Sequence, residues 1–477
     1  MTIPKQVKKA IKILKNAKFE ANIVGGCVRD FLLGLHPKDW DIATNAKPEQ
    51  IQELFKKAIY NNNFGTVAVI LNKMEIEITT YRIEEKYSDK RHPDKVEFAD
   101  SLEQDLSRRD FTINAIAMPD IRNQTSEIRF IDPFNGLDDL KARIIRAVGN
   151  AEERFQEDPL RMMRAVRFST RLDFKIEKKT EQAIKKHSQL LRFIARERIK
   201  DELSMIIMGK NPDQGILLLN KLGLLQYIIP ELTHGIGMEQ PRHHIYTVFK
   251  HGILSLKCCR SKKLSVLLAS LFHDIAKPYT KRGKGESATF YNHDIVGARV
   301  AKKILQKLRF GQKTANHVYL LIRNHMFVYN VDEVTEAGVR RLIKRVGLEN
   351  IKDLMDLRIA DRLGSGCPKA KPYKLRHLEY LVHKVSRDPV SRAMLKISGD
   401  DFRDILKIKP GPKYKFLLEA LLNEVLEDPK KNTKKYLLTR TKELNKLNQK
   451  ELAKLSEQAQ EKKQEIECKE KKWFRVS

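Results

Sequence analysis

A small α/β head followed by a long all-helical body is the fold that this 477-residue sequence predicts, and three observations carry that reading. Up to about residue 150 the apolar residues switch between the period of two that marks strands and the 3.6-residue period that marks helices. From about 151 to Gln458 the pattern is almost purely helical. That run is broken near 209–212, 230–241, 282–287, 364–371 and 409–412, and no internal repeat is visible in it.

Composition narrows the partners. With 41% hydrophobic residues the chain can bury several cores, enough for two to four domains. No stretch approaches the roughly eighteen consecutive apolar residues of a membrane span, so a membrane is not an expected partner. Residues 5–18 are amphipathic and lysine-bearing, without the apolar centre of a cleaved targeting peptide. Cys27, Cys258, Cys259, Cys367 and Cys468 form no C-x-x-C pair, which fits free thiols and a cytoplasmic location. A formal charge of +31 favours a polyanionic partner. The oligomeric state is left open.

The head elements follow in order. Residues 5–18 read as a helix and 21–24 as a short strand ending at Gly25-Gly26. A helix over 28–33 comes next, and two glycines between strand and helix let a ligand's anionic group approach the backbone. Arg29 adds charge-assisted hydrogen bonds to such an anion. If 39–41 is a strand, Asp39 and Asp41 share one face and Trp40 takes the other. Two carboxylates so placed repel unless a divalent cation lies between them, and Mg²⁺ with triphosphate oxygens suits nucleotidyl transfer. A helix is expected over 48–58, then strands over 66–71 and 75–82 joined by a turn at Asn72-Lys73. Glu77 is the expected third carboxylate from a neighbouring strand. The polar residues 84–100 read as a mobile loop.

In combination, G-G-x-V-R-D at 25–30, D-W-D at 39–41, E-I-T-T-Y-R at 77–82 and R-R-D-F-T-I-N-A at 108–115 resemble the class II tRNA nucleotidyltransferase/poly(A) polymerase family. The resemblance runs over about residues 20–230. It implies an α/β nucleotidyltransferase head of the polymerase-beta-like kind, with Arg109, Asp110 and Asn114 holding the ribose and triphosphate of the incoming nucleotide. E-D-P-L-R-M-M-R at 157–164 resembles the family's nucleotide-selecting element. Cytosine and adenine both present an exocyclic amine beside an unprotonated ring nitrogen. Asp158 as acceptor and Arg161 as donor suit that edge, whereas uracil and guanine present a carbonyl and an N–H there. Arg164 and Arg167 would then face the triphosphate. Arg196-Glu197-Arg198-Ile199 matches a further family element of less defined role.

His273-Asp274 is expected within an apolar helix over 264–276. With His251 upstream and Asp361 downstream, it resembles the HD phosphohydrolase superfamily. The resemblance implies His251, His273, Asp274 and Asp361 as ligands of a transition metal or Mg²⁺, with His293 and His325 available to a second metal. The expected domains are therefore a catalytic head (1–150), a nucleotide-selecting and RNA-binding neck (151–235), an HD-type helical domain (236–385) and a basic, tRNA-binding helical tail (386–477). The leading reading is Mg²⁺-dependent addition of C, C and A to the 3′ end of tRNA from CTP and ATP. An A-adding enzyme or a poly(A) polymerase is the near alternative. From another class, an HD phosphohydrolase could use the head only to bind RNA. The F-G-T-V strand entry and the HD motif lean away from poly(A) polymerase, and the length of 84–100 leans away from a CC-only enzyme.

Overall fold

The computed structural model describes residues 3–60, 65–85, 95–119, 129–241, 245–327, 329–331, 333–367, 371–387, 395–408, 411, 413–448, 451–452, 454 and 473–474. Phe64, most of the 84–100 loop, most of the turn at 409–412, Cys468 and nearly all of the last thirty residues lie outside the described residues. The chain divides into two compact units, Met1–Ile322 with Gly364–Gly366, and Arg323–Leu363 with Cys367–Ser477.

The first unit begins with α1 (Lys5–Asn16), which buries Val7, Ala10, Ile11 and Leu14 at helical spacing. Strand β1 (Asn22–Val24) leads into α2 (Gly26–Leu32), and β2 (Asp41–Thr44) leads into α3 (Pro48–Leu54). Strands β3 (Ala58–Tyr60), β4 (Thr66–Leu71) and β5 (Met74–Thr80) follow, then β6 (Arg82–Glu85) and β7 (Lys95–Phe98). After α4 (Leu102–Ser107), β8 (Ala117–Met118) completes a six-stranded sheet of order β3-β4-β5-β2-β1-β8. Strands β2 and β5 are parallel, and the other four pairings are antiparallel. The β4–β5 hairpin turns on Asn72 (φ 49°) and Lys73 (φ 68°), the left-handed pair that a two-residue turn needs to match the strand twist.

The sheet core is Ile23, Ile42, Val67, Val69, Ile76 and Ile78, each fully buried. A smaller cluster packs Val24, Ala43 and Tyr81 against Leu102, Leu106, Ala115 and Ala117. Three expectations need correction, the first being the helix over 48–58, which ends at Leu54 while Ala58 opens strand β3. Residues 84–100 are not wholly loop, because 82–85 pair with 95–98 as an antiparallel ribbon. The alternation of Val96 and Phe98 was masked by the charges around it. Helix α2 starts two residues earlier than expected, because Gly25 rather than Cys27 is its N-cap.

Helices α5 (Gly136–Ala142), α6 (Ala151–Glu157), α7 (Leu160–Leu172), α8 (Lys178–His187), α9 (Arg196–Ile207) and α10 (Pro212–Lys221) continue the unit. Strands β9 (Ile144–Ile145) and β10 (Lys175–Ile176) form a small parallel pair beside them. Helix α7 packs on α9 and α10, so its 13 residues face the head on one side and the neck on the other. Further along are the helices Val248–Cys258, Leu264–Phe272 and His293–Lys307. The second unit holds the helices Glu336–Val346, Tyr373–Arg387, Gly399–Asp404, Lys413–Glu427 and Lys434–Leu444, the last three around Phe402, Leu417, Leu421 and Leu437. No described helix is long and apolar enough to cross a membrane.

Candidate active site

A cleft of about 480 Å³ lies between head and neck, within the range of small-molecule sites. Its walls include Gly26, Arg29, Asp39, Asp41, Arg109, Asp110, Asn114, Asp158, Arg161, Arg164 and Arg167. Of the residues expected to be catalytic or nucleotide-binding in head and neck, Gly25 and Glu77 do not line it.

Gly25 stands immediately beneath. Its φ of +83° is open to glycine, and a Cβ there would lie 2.7 Å from Arg109 Nη1 and 3.3 Å from Asp41 Oδ2. Asp41 opens β2, and its register partner in parallel β5 is Glu77. The predicted strand over 39–41 is corrected in part. The strand starts at Asp41, and Asp39 sits in a bend before it. Continuing the register would set Asp39 beside Glu75, two like charges across a ladder. The alternation survives nonetheless, since Glu77 N donates to Trp40 O at 3.2 Å. Trp40 is buried, while Asp39 and Glu77 are exposed and Asp41 is half-buried.

Burial pushes the Asp41 carboxyl up to about 6, against the pull of Arg109 and with the push of Glu77 and Asp39. Partial desolvation of its carboxylate, with Glu75 and Asp39, raises Glu77 as well, although the residue as a whole is exposed. Asp41 with Glu77 and Asp39 pressing on it is an oxygen donor set suited to a hard divalent cation, which would relieve that repulsion.

Around the cleft the guanidinium groups are held by buried acids. Asp105, fully buried on α4, receives Arg108 Nη2 at 2.7 Å and Arg109 Nη2 at 3.2 Å. Burial alone would raise Asp105, but the two cations hold it below the usual range. Asp110 Oδ1 accepts from Asn114 Nδ2 at 3.0 Å and from Phe111 N at 2.9 Å, and its Oδ2 accepts from Arg164 Nε at 2.7 Å. Against the effect of burial, Arg164 and Asn114 hold Asp110 down to about 2. Arg29 Nη1 donates to Asn114 Oδ1 at 2.6 Å, and its Nη2 donates to Asp30 Oδ1 at 2.6 Å. A continuous chain, Asp30–Arg29–Asn114–Asp110–Arg164, thus links α2 to α7.

Asp158 ends α6 and accepts from Leu160 N at 3.1 Å. Arg198 of α9 grips both its oxygens, with Nη1 at 3.1 Å and Nη2 at 2.8 Å. Arg161 Nη1 donates to Glu157 Oε2 at 2.8 Å, and its Nη2 donates to Arg108 O at 3.1 Å. Each member of the expected base-reading pair is therefore set by another residue. The R-E-R-I string at 196–199 was visible in the sequence, but its partner stands 40 positions upstream. Lys38, Phe168 and Arg171 also line the cleft and were missed, since nothing about a lone residue of those types marks it.

The histidine–aspartate set was expected inside a helix over 264–276. The helix ends at Phe272, and His273-Asp274 lie in the turn before Lys277–Thr280, where Pro278 starts a new helix. His251 and His273 meet Nε2 to Nε2 at 3.0 Å, and each Nε2 is 3.4 Å from Asp274 Oδ2. His293 Nε2 lies 3.5 Å from Asp274 Oδ1. His273 Nδ1 donates to Ser270 O at 3.0 Å and His293 Nδ1 to Phe290 O at 2.7 Å, so both rings turn a Nε2 lone pair toward the aspartate. Lys277 Nζ is 2.6 Å from Asp274 Oδ2 and donates to Gln240 Oε1 at 2.6 Å. Despite burial, Lys277 and the histidines hold Asp274 well below the usual carboxylate range. His251, His273 and Asp274 fit a metal ion by donor type and convergence. His325 and Asp361 are buried residues of the second unit, where Asp361 pairs with Arg358, whose guanidinium lies 5.2 Å above the Tyr329 ring.

Comparison with known proteins fits this geometry. A family model described as the poly A polymerase head domain matches residues 21–146, and one described as a probable RNA- and SrmB-binding site of polymerase A matches 173–236. An HD-domain model matches 243–365. Fold and cleft together define a nucleotidyltransferase joined to an HD domain. Among curated proteins, the CCA-adding enzyme of Ligilactobacillus salivarius is 55% identical over 365 residues, 71% of this chain and 89% of that protein. The CCA-adding enzyme of Enterococcus faecalis is 44% identical over 254 residues, 52% of this chain and 61% of that one. The chain belongs to the family of the CCA-adding enzymes. The crystal structure of the Bacillus stearothermophilus CCA-adding enzyme in complex with CTP has TM-score 0.58 and 27% identity, covering 94% of this chain and 100% of that one. The Thermotoga maritima CCA-adding enzyme complexed with tRNA shares the fold at 20% identity and TM-score 0.54, covering 92% of this chain and 95% of that one.

Proposed function

We propose that this chain adds C, C and A to the 3′ end of tRNA from CTP and ATP, at the cleft between head and neck. The observation that carries this is that Asp39 and Asp41, with Glu77 beside Asp41 in the ladder, share one cleft with a fan of arginines. Asp39, Asp41 and Glu77 would hold divalent cations, for which Mg²⁺ suits the all-oxygen donor set, and such cations supply charge neutralisation at the triphosphate and the primer hydroxyl. Arg29, Arg109, Arg164 and Arg167 bind phosphate oxygens, and Gly25-Gly26 lets the backbone come close. Asp110 and Asn114 orient the ribose.

Asp158, fixed by Arg198, accepts from the exocyclic amine of cytosine or adenine, while Arg161, fixed by Glu157, donates to the adjacent ring nitrogen. Uracil and guanine meet a like partner at both points, and an unpaired polar group in a closed site costs about 1–3 kcal/mol. Residues 1–150 serve as the catalytic head, 151–235 as the neck and 386–477 as a basic tail that grips tRNA in the cytoplasm. Replacing Asp39 and Asp41 by Ala tests the proposal. Nucleotide addition should fall at least a thousand-fold while tRNA still binds, and retention of addition contradicts the assignment.

A second reading applies to residues 236–385, on the convergence of His251, His273 and Asp274. We propose that this cluster takes a divalent transition metal, independently of nucleotide addition.

A further inference from the structure

Phe168 lies on the inner face of α7, is 4% exposed and forms part of the cleft wall. Three guanidinium groups surround its ring, with carbon-to-centroid distances of 4.9 Å for Arg29, 5.4 Å for Arg164 and 4.7 Å for Arg167. The Phe111 ring also meets it, edge-on at 5.8 Å. One ring therefore spaces three like charges that come from two different elements, α2 and α7.

Acids neutralise the fan from outside. Asp30 takes Arg29 and, at 3.4 Å, Arg171. Asp110 takes Arg164, and Glu202 of α9, itself buried, takes Arg167 at 3.1 Å. These pairs and Asn114 hold the guanidinium groups by their edges, Arg29 through Nε, Nη1 and Nη2. The common ring adds a contact on their faces, since a guanidinium is attracted to an aromatic face and is planar enough to lie against it. Aliphatic side chains of similar volume would fill the same space but present no negative face. With arginines already around it, the ring is not offered to a base as a stacking platform.

We infer that Phe168 is a positioning residue for nucleotide binding: it holds Arg29, Arg164 and Arg167 in the arrangement that receives the phosphates of CTP and ATP. The inference rests on the cleft being the nucleotide site. Preorganised cations bind an anion better than mobile ones because less order is lost on binding. Loss of the ring should therefore appear in the affinity for nucleotide, with the reacting groups Asp39 and Asp41 untouched.

The test compares Phe168→Leu, Phe168→Met and Phe168→Tyr in the full-length protein, each checked for the wild-type melting temperature. In Leu or Met, KM for CTP and for ATP should rise on the order of ten-fold, with kcat and the KM for primer tRNA within about two-fold of wild type. Phe168→Tyr keeps the aromatic face and should restore the wild-type KM. A folded Leu or Met variant with unchanged nucleotide KM overturns the inference. So does a folded Tyr variant whose KM for CTP and ATP is raised on the order of ten-fold over wild type, a result that can be read even if the aliphatic variants do not fold. Wild-type protein without saturable CTP dependence overturns the underlying reading of the cleft, and this inference with it.

Discussion

At the scale of single residues, Asp41 is where the proposed cation site can be tested. Its carboxyl is raised to about 6 from an ordinary value of 3.8. Between those values the folded chain keeps a proton that the unfolded chain has released, so in the cation-free protein this group costs stability as pH rises through that window. A divalent cation must displace that proton to bind. The melting-temperature gain on adding Mg²⁺ should therefore be full at pH 8 and shrink as pH falls through about 6. Equal gains at pH 8 and pH 5 would contradict the trio as the cation site. Arg198 gives a second residue-scale expectation. Arg198→Ala frees Asp158 to turn, so the preference for CTP over UTP should fall on the order of ten-fold in single-nucleotide incorporation. Unchanged preference would show that Asp158 is positioned by other means. The alternation of Asp39, Trp40 and Asp41 could be read from the sequence because period two is local. The Arg198–Asp158 grip could not, because it depends on α9 packing on α7.

The site is built at element junctions: β1 into α2, the entry to β2, the turn from α6 to α7. Gly25 is the tightest of them, with a backbone at φ +83° and Arg109 in the space a side chain would fill. Gly25→Ala should lower nucleotide addition at least ten-fold by displacing Arg109, and steady-state kinetics with saturating tRNA would measure it. Wild-type kinetics in that variant would remove the close approach from the account. Elements with a strong local signature were legible, such as α1 with its apolar stripe and the β4–β5 hairpin with its left-handed pair. Ends set by tertiary competition were not. The ladder dropped Asp39 beside Glu75, and the helix gave way at Phe272 to a turn that carries His273 and Asp274. The β6–β7 ribbon was hidden because its alternating apolar residues sit among lysines and glutamates.

For the molecule as a whole, the order of motifs along the chain made the family legible where no single motif would have done. A Gly-Gly before a helix or a lone D-x-D is commonplace, but the cleft collects them with the 108–115 and 157–164 strings on one surface. The +31 charge suits a polyanionic substrate. The proposal that the histidine cluster takes a metal independently of the head carries its own prediction. His273→Ala should lower metal content measured on protein purified and dialysed without chelator, and leave nucleotide addition within about two-fold of wild type. Loss of addition without loss of metal would show that the cluster serves the head structurally.

The most direct test of the central claim uses purified protein, Mg²⁺ and single nucleotides on tRNAs lacking all, two or one of the terminal C, C and A. The account predicts C addition to the first two steps from CTP, A addition to the last from ATP, and no further extension. Extension only of the CC-ending tRNA with ATP, or open-ended runs of A, would contradict it.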